Sequence, residues 1–70
     1  MNKYAVIYEP ASIGYSAYAP DLPGCVATAQ TLEQTRERMH DAIGMHLSSM
    51  REDGDPIPVP SLLADMLEVA

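Results

Sequence analysis

Two histidines, one cysteine and ten carboxylates are the side chains with which this 70-residue chain could do chemistry. His40 and His46 are the first pair to test as metal ligands. They stand six positions apart, which on a helix separates them by roughly 240° at about 100° per residue, whereas a zinc pair shares one face. His46 falls among apolar neighbours and reads as a hydrogen-bonded core histidine, while His40 falls toward the polar side and reads as solvated. Cys25 follows the turn residues Pro23 and Gly24. A thiolate nucleophile needs a base beside it and an electropositive setting, so in an acidic chain Cys25 reads as a small buried hydrophobe. Glu52-Asp53-Gly54-Asp55 has the residue types of a calcium loop. It lacks the alternating ligands and closing glutamate of one, and reads instead as a helix end and turn. No catalytic residue, metal or cofactor is assigned.

The remaining carboxylates suggest binding. Glu33, Glu37 and Asp41 recur at i, i+4 and i+8, with Arg36 and Arg38 between them. Such a stripe is either a solvated helix face with internal ion pairs or an acidic surface for a basic partner. Four Lys and Arg against ten Asp and Glu give a formal charge of -6. Nucleic-acid binding depends on cations that displace counterions from phosphate, so intrinsic DNA or RNA binding by this chain alone is not expected. Net negative charge serves solubility, and it also speeds encounter with a positively charged protein.

The elements that must position these groups are legible in outline. Residues 3–9 are rich in β-branched and aromatic types and read as a strand, with Tyr4, Val6 and Tyr8 on one face and Ala5 and Ile7 on the other. Both faces are largely apolar, unlike those of a half-solvated strand. A loop ending at Gly14 leads to a second strand at 15–19. The loop Pro20-Asp21-Leu22-Pro23-Gly24 leads to a third at 25–29, which makes an antiparallel meander. Thr31 and Gln34 fit a capping box at the start of one long helix. Leu32, Met39, Ala42, Ile43, Leu47 and Met50 form its apolar stripe, with Thr35 and His46 in line. Gly54 and Pro56 end it. Residues 55–60 have proline at every second position and read as an extended crossover. Beyond them two readings stay open. Ser61 caps a single turn and 66–69 form an edge strand parallel to the third, or 61–68 form a short helix in which Leu62, Leu63, Met66 and Leu67 share a face.

Size and composition add a constraint. With 47% hydrophobic and 20% charged residues the chain folds, yet a chain of this length buries only about 60% of its unfolded surface. One cysteine allows no internal disulfide. Stability is then expected from a partner. The helix covers one face of the sheet, so a homodimer or higher even oligomer is expected to cover the other. There is no signal peptide pattern, and the apolar runs fall short of the roughly 20 residues that span a bilayer. A cytoplasmic protein is expected.

Four pieces together carry a resemblance: Gly14-Tyr15, Pro20-Asp21-Leu22-Pro23-Gly24-Cys25, the helix start Thr31-Leu32-Glu33, and Ile57-Pro58. In this order, and over almost the whole chain, they resemble the HicB-like antitoxin domain. Ala29-Gln30 and Gln34-Thr35 depart from that family's usual residues around the helix start. The resemblance implies an α+β fold in β-β-β-α-β order, a small mainly antiparallel sheet with one long helix on one face, related to a truncated RNase H fold. It implies a single domain over 1–70 that neutralises a HicA-like toxin, a small basic mRNA-cleaving ribonuclease, by occluding it. Many members carry a C-terminal DNA-binding segment; with the sequence ending at Ala70, autonomous DNA binding is not expected. The candidate toxin-binding residues are Asp21, Glu33, Glu37 and Asp41. The alternatives are an orphan homo-oligomeric domain with a ligand-binding or structural role and, further off, a metal-dependent nuclease. For the nuclease, Glu9 and Asp21 alone would have to do the work of converging carboxylates.

Overall fold

A computed structural model describes residues 3–70. Strands β1 (Ile7–Pro10), β2 (Tyr15–Tyr18) and β3 (Val26–Ala29) precede one helix, α1 (Leu32–Asp53). The sheet runs β1-β2-β3 with both pairings antiparallel. The α+β architecture and the β-β-β-α order are those expected from the sequence.

The register sorts the side chains onto two faces. Tyr8, Ala17 and Ala27 stand side by side, as do Pro10, Tyr15 and Ala29. On the opposite face stand Ile7, Tyr18 and Val26, and beside them Glu9, Ser16 and Thr28. The first face turns toward α1, and Ala17 and Ala29 are buried there. Alanines leave room for a helix to approach closely. On the second face the described residues leave Val26 63% and Tyr18 39% exposed, with Ile7 half-buried.

The first strand begins later than the sequence pattern suggests. Ile7 pairs with Tyr18, the last residue of β2. The residues before Ile7 therefore have no strand opposite them. Ala19 and Cys25 likewise leave the ladder to flank a tight loop, in which Leu22 N–H donates to the Ala19 carbonyl and Cys25 N–H to that of Leu22.

Helix α1 begins and ends on local chemistry. The Thr31 hydroxyl accepts from the Gln34 amide at 3.1 Å, which satisfies one of the four donors a helix start leaves unpaired. At the other end Gly54 takes φ of 74°, and the amides of Gly54 and Asp55 return to the carbonyls of Arg51 and Met50. That is the Schellman pattern, which glycine's left-handed freedom permits.

The helix packs across β3 and β2. Leu22 and Met39 are fully enclosed between the layers together with Thr35, whose hydroxyl donates to the Thr31 carbonyl and so needs no other partner. Ala17, Ala19, Cys25 and Leu47 complete the core. Leu32, expected on the buried stripe, is 47% exposed, and His46, expected in the core, is half-buried. Arg38, read as a surface ion-pair partner, donates instead to the Thr28 carbonyl of β3 at 2.8 Å.

The expected final strand is absent. Residues 55–70 contain neither strand nor helix, so both readings of 61–69 are corrected. Alternating prolines remove the donors a ladder needs, and from Ser61 onward every residue is exposed. This arm contributes to a radius of gyration of 13.3 Å, against about 11 Å for a compact chain of this length.

Gly14 and Gly54 both need positive φ, and they differ in surroundings. A Cβ on Gly14 would strike the backbone of Ala29 and Gln30, while one on Gly54 meets nothing within 4 Å. Gly54→Ala is expected to cost about 1 kcal/mol, the left-handed penalty alone. Gly14→Ala is expected to exceed about 2 kcal/mol, since the start of β2 must also move off β3. Urea unfolding of the two variants beside the parent chain measures the difference.

Candidate functional site

Glu33, Glu37 and Asp41 project from successive turns of α1 and are exposed. With Arg36 and His40 they line one shallow depression. His40 Nδ1 lies 3.8 Å from Asp41 Oδ1, and both side chains are largely solvated, at 90% and 81%. A contact so exposed holds nothing in place. The depression is a row of solvated polar and charged side chains along one side of α1.

Asp21 does not belong to that row. It sits in the β2–β3 loop, and its carboxylate is already engaged. Oδ2 accepts from the Ser61 amide at 3.0 Å and the Leu62 amide at 3.3 Å, and Oδ1 accepts from the Ser61 hydroxyl at 2.9 Å. The Ser61 amide first, then its hydroxyl and the Leu62 amide, hold the Asp21 carboxyl below its ordinary pKa of 3.8. A short way upstream the Tyr4 hydroxyl donates to the Pro58 carbonyl. Two side chains at one end of the sheet thus grip the segment that follows the helix. Asp21 works here as a clasp, a role visible only once a chain separation of forty residues is closed.

A second concavity lies between α1 and the N-terminal part of the sheet. It has a volume of about 760 Å³, an apolar floor of Tyr4, Val6, Tyr8, Met39 and Ile43, and a rim of Leu32, Glu33, Arg36 and His40. The sequence assigns the floor residues to the core. Met39 is fully buried, but Tyr4, Val6, Tyr8 and Ile43 are only partly covered, because α1 lies over β3 and β2 and leaves the side of β1 open. The one signal in the sequence was the apolar character of both faces of residues 3–9.

The groups considered for chemistry lie apart from these surfaces. Cys25 is buried, and burial pushes its thiol pKa up, away from a reactive thiolate. Glu9 stands in β1 opposite Ser16, while Asp21 is held by Ser61. Among the described residues no three His, Cys, Asp or Glu side chains gather as metal ligands would. No helix among them is long and apolar enough to cross a membrane.

A family model described as the HicB-like antitoxin of bacterial toxin–antitoxin systems matches residues 4–69. The chain belongs to the HicB-like antitoxin family. A UPF0150 protein of Archaeoglobus fulgidus is 37% identical over 60 residues, covering 81% of this chain and 87% of its own length. A UPF0150 protein of Synechocystis is 29% identical over 56 residues, covering 80% of this chain and 71% of its own. An uncharacterised 14.9 kDa protein of Haemophilus phage HP1, from the rep-hol intergenic region, is 33% identical over 55 residues. The match takes in 79% of this chain but only 41% of the phage protein. In this HicB-like chain the matched region runs from Tyr4, through the Asp21 loop and α1, to Val69.

The clasp sets a pH dependence. A carboxyl whose folded pKa is depressed stabilises the fold above its unfolded value, near 3.8 here, and loses that contribution as pH falls through the lower folded value. Hydrogen exchange at the Ser61 and Leu62 amides is expected to be slowed near neutral pH and to lose that protection only as pH falls through the depressed folded value, which lies below the ordinary 3.8. Asp21→Ala is expected to abolish the protection at every pH while leaving the α1 amides unchanged, as residue-resolved exchange would read.

Proposed function

We propose that this HicB-like chain is an antitoxin that neutralises a HicA-like basic ribonuclease by occluding it, acting in the cytosol by contact and charge and performing no catalysis. The observation that carries the reading is the placement of Glu33, Glu37 and Asp41 in one exposed depression of a single rigid helix, in a chain of charge -6 whose family is one of antitoxins. A ribonuclease that binds RNA presents cations to phosphate. A row of carboxylates on a helix offers those cations an alternative partner that the enzyme cannot cleave. Asp21 lies off this surface and fixes the segment beginning at Ser61, rather than offering a free charge.

Complementary charge acts mainly on encounter rate and partner choice. Replacing Glu33, Glu37 and Asp41 together by lysine is expected to weaken toxin binding by at least about tenfold, largely through slower association. Added salt is expected to weaken the parent complex and to change that of the variant far less. Surface-plasmon kinetics and an RNA-cleavage assay with a basic HicA-like toxin read both effects. A parent chain that leaves cleavage untouched would overturn the antitoxin reading. A second reading, a homo-oligomeric domain with a structural or ligand-binding role, is favoured by the apolar row Ile7, Tyr18 and Val26 on the open face of the sheet. It predicts self-association without inhibition of such a toxin.

A further inference from the structure

The structure leaves two apolar surfaces of this chain without cover, and they match. One is the groove between α1 and the start of the sheet, floored by the partly buried Tyr4, Val6, Tyr8 and Ile43. The other is the C-terminal arm, where Leu63 is 98% exposed, Met66 93%, Leu67 82% and Leu62 49%. Leaving four large apolar side chains in water within a chain of 70 residues is costly unless something receives them. We propose that the groove receives residues 62–69 of a second copy, so that two chains exchange arms in a closed dimer.

Three observations carry the match. The first is pattern. Written as a helix, Leu62, Leu63, Met66 and Leu67 fall on one face and Asp65 and Glu68 on the other, which is how an amphipathic segment lies in a groove. The second is length. Eight helical residues span about 12 Å, and the part of α1 that borders the groove, from Leu32 to Ile43, spans about 17 Å. The third is charge. On the groove rim Arg36 stands against Glu33, so the rim carries no net charge with the histidines neutral. The arm's two carboxylates, Asp65 and Glu68, fall on the side of a helix that faces away from the groove, so a chain of charge -6 can meet its own copy here with little repulsion.

The Asp21 clasp prepares the arm. Its carboxylate accepts from the amides of Ser61 and Leu62, which are among the donors a helix starting at that point would leave unpaired. Negative charge at that end favours helix as well. The start is therefore capped, and what is missing is a surface for the apolar face, since eight residues do not hold a helix in water unaided. Within one chain the arm finds no such surface: from Ser61 onward it is exposed throughout, although Tyr4 of its own groove is tied to Pro58 just upstream. A second copy supplies the groove, and the symmetry returns the favour.

Full-length variants test this. Leu63→Gln with Leu67→Gln leaves charge and core unchanged, because both side chains are solvated in the single chain. Sedimentation equilibrium is expected to show a parent dimer and, for the double variant, a dissociation constant raised by at least about tenfold, with helix content by circular dichroism not reduced below that of the monomer. Leu32→Glu at the groove rim is expected to do the same from the other side. The decisive sample mixes the two. A chain with an intact groove and a chain with an intact arm are expected to recover one of the two exchanged contacts, so the mixture dimerises more tightly than either variant alone. A monomeric parent at micromolar concentration would overturn the proposal. So would a double variant that dimerises as the parent does, or a mixture no tighter than its components.

Discussion

Leu22 is the side chain on which the two layers depend. It comes from a loop, not from a strand or the helix, and it is fully enclosed between them. Prolines on either side of Asp21-Leu22 restrict the loop, and the amides of Leu22 and Cys25 close it onto the carbonyls of Ala19 and Leu22. The turn thus forces Leu22 inward and Asp21 outward. Burial of one leucine is worth roughly 1.5–3 kcal/mol, and a chain of this size has a net stability of only about 4–10 kcal/mol. The same seven-residue loop therefore fills the core with one side chain and anchors the C-terminal segment with its neighbour.

The parts of this arrangement that rest on local chemistry could be read in advance. Thr31 with Gln34 set the start of the helix and Gly54 its end, because caps are contacts over three or four residues. Strand order followed from short loops, and the burial of Cys25 from its apolar setting. What escaped depends on distance along the chain. A leucine between prolines in a polar loop has no period to betray its burial. Leu32 fits the apolar stripe yet stays half out, because it stands on the rim of the groove on the β1 side, which α1, packed over β3 and β2, leaves open. The pairing of Asp21 with Ser61 spans forty positions, and no spacing rule reaches that far. The C-terminal stretch was equally consistent with strand and helix because its apolar residues fit both periods. The structure adopts neither.

The faces of α1 divide the work among themselves. Thr35, Met39 and Leu47 bind the helix to the sheet, and a hydroxyl can sit among them only because it bonds within the helix. Glu33, Glu37 and Asp41 lie on the exposed side. Arg36 and His40 stand between, lining both the acidic depression and the apolar groove. An exposed charge row on a helix clamped this way loses little side-chain or backbone freedom beyond that of the carboxylates themselves when a partner arrives. Preorganisation of that kind raises affinity without adding contacts.

The prolines that follow the helix have consequences beyond ending it. By denying ladder donors between 55 and 60 they keep the chain from adding a strand beside β1. The sheet consequently stops at a short edge closed by Pro10, which itself offers no N–H to a stray strand. The space a fourth strand and its cover would have filled remains as the groove over Tyr4, Val6 and Tyr8. Had the arm paired with β1, its apolar side chains would have been consumed in completing one small domain. Held instead by Asp21 and Tyr4 at its root and unpaired beyond it, the arm keeps those side chains available. A short chain with a thin core and no internal disulfide can then draw stability from a neighbour through a segment that its own fold leaves unused.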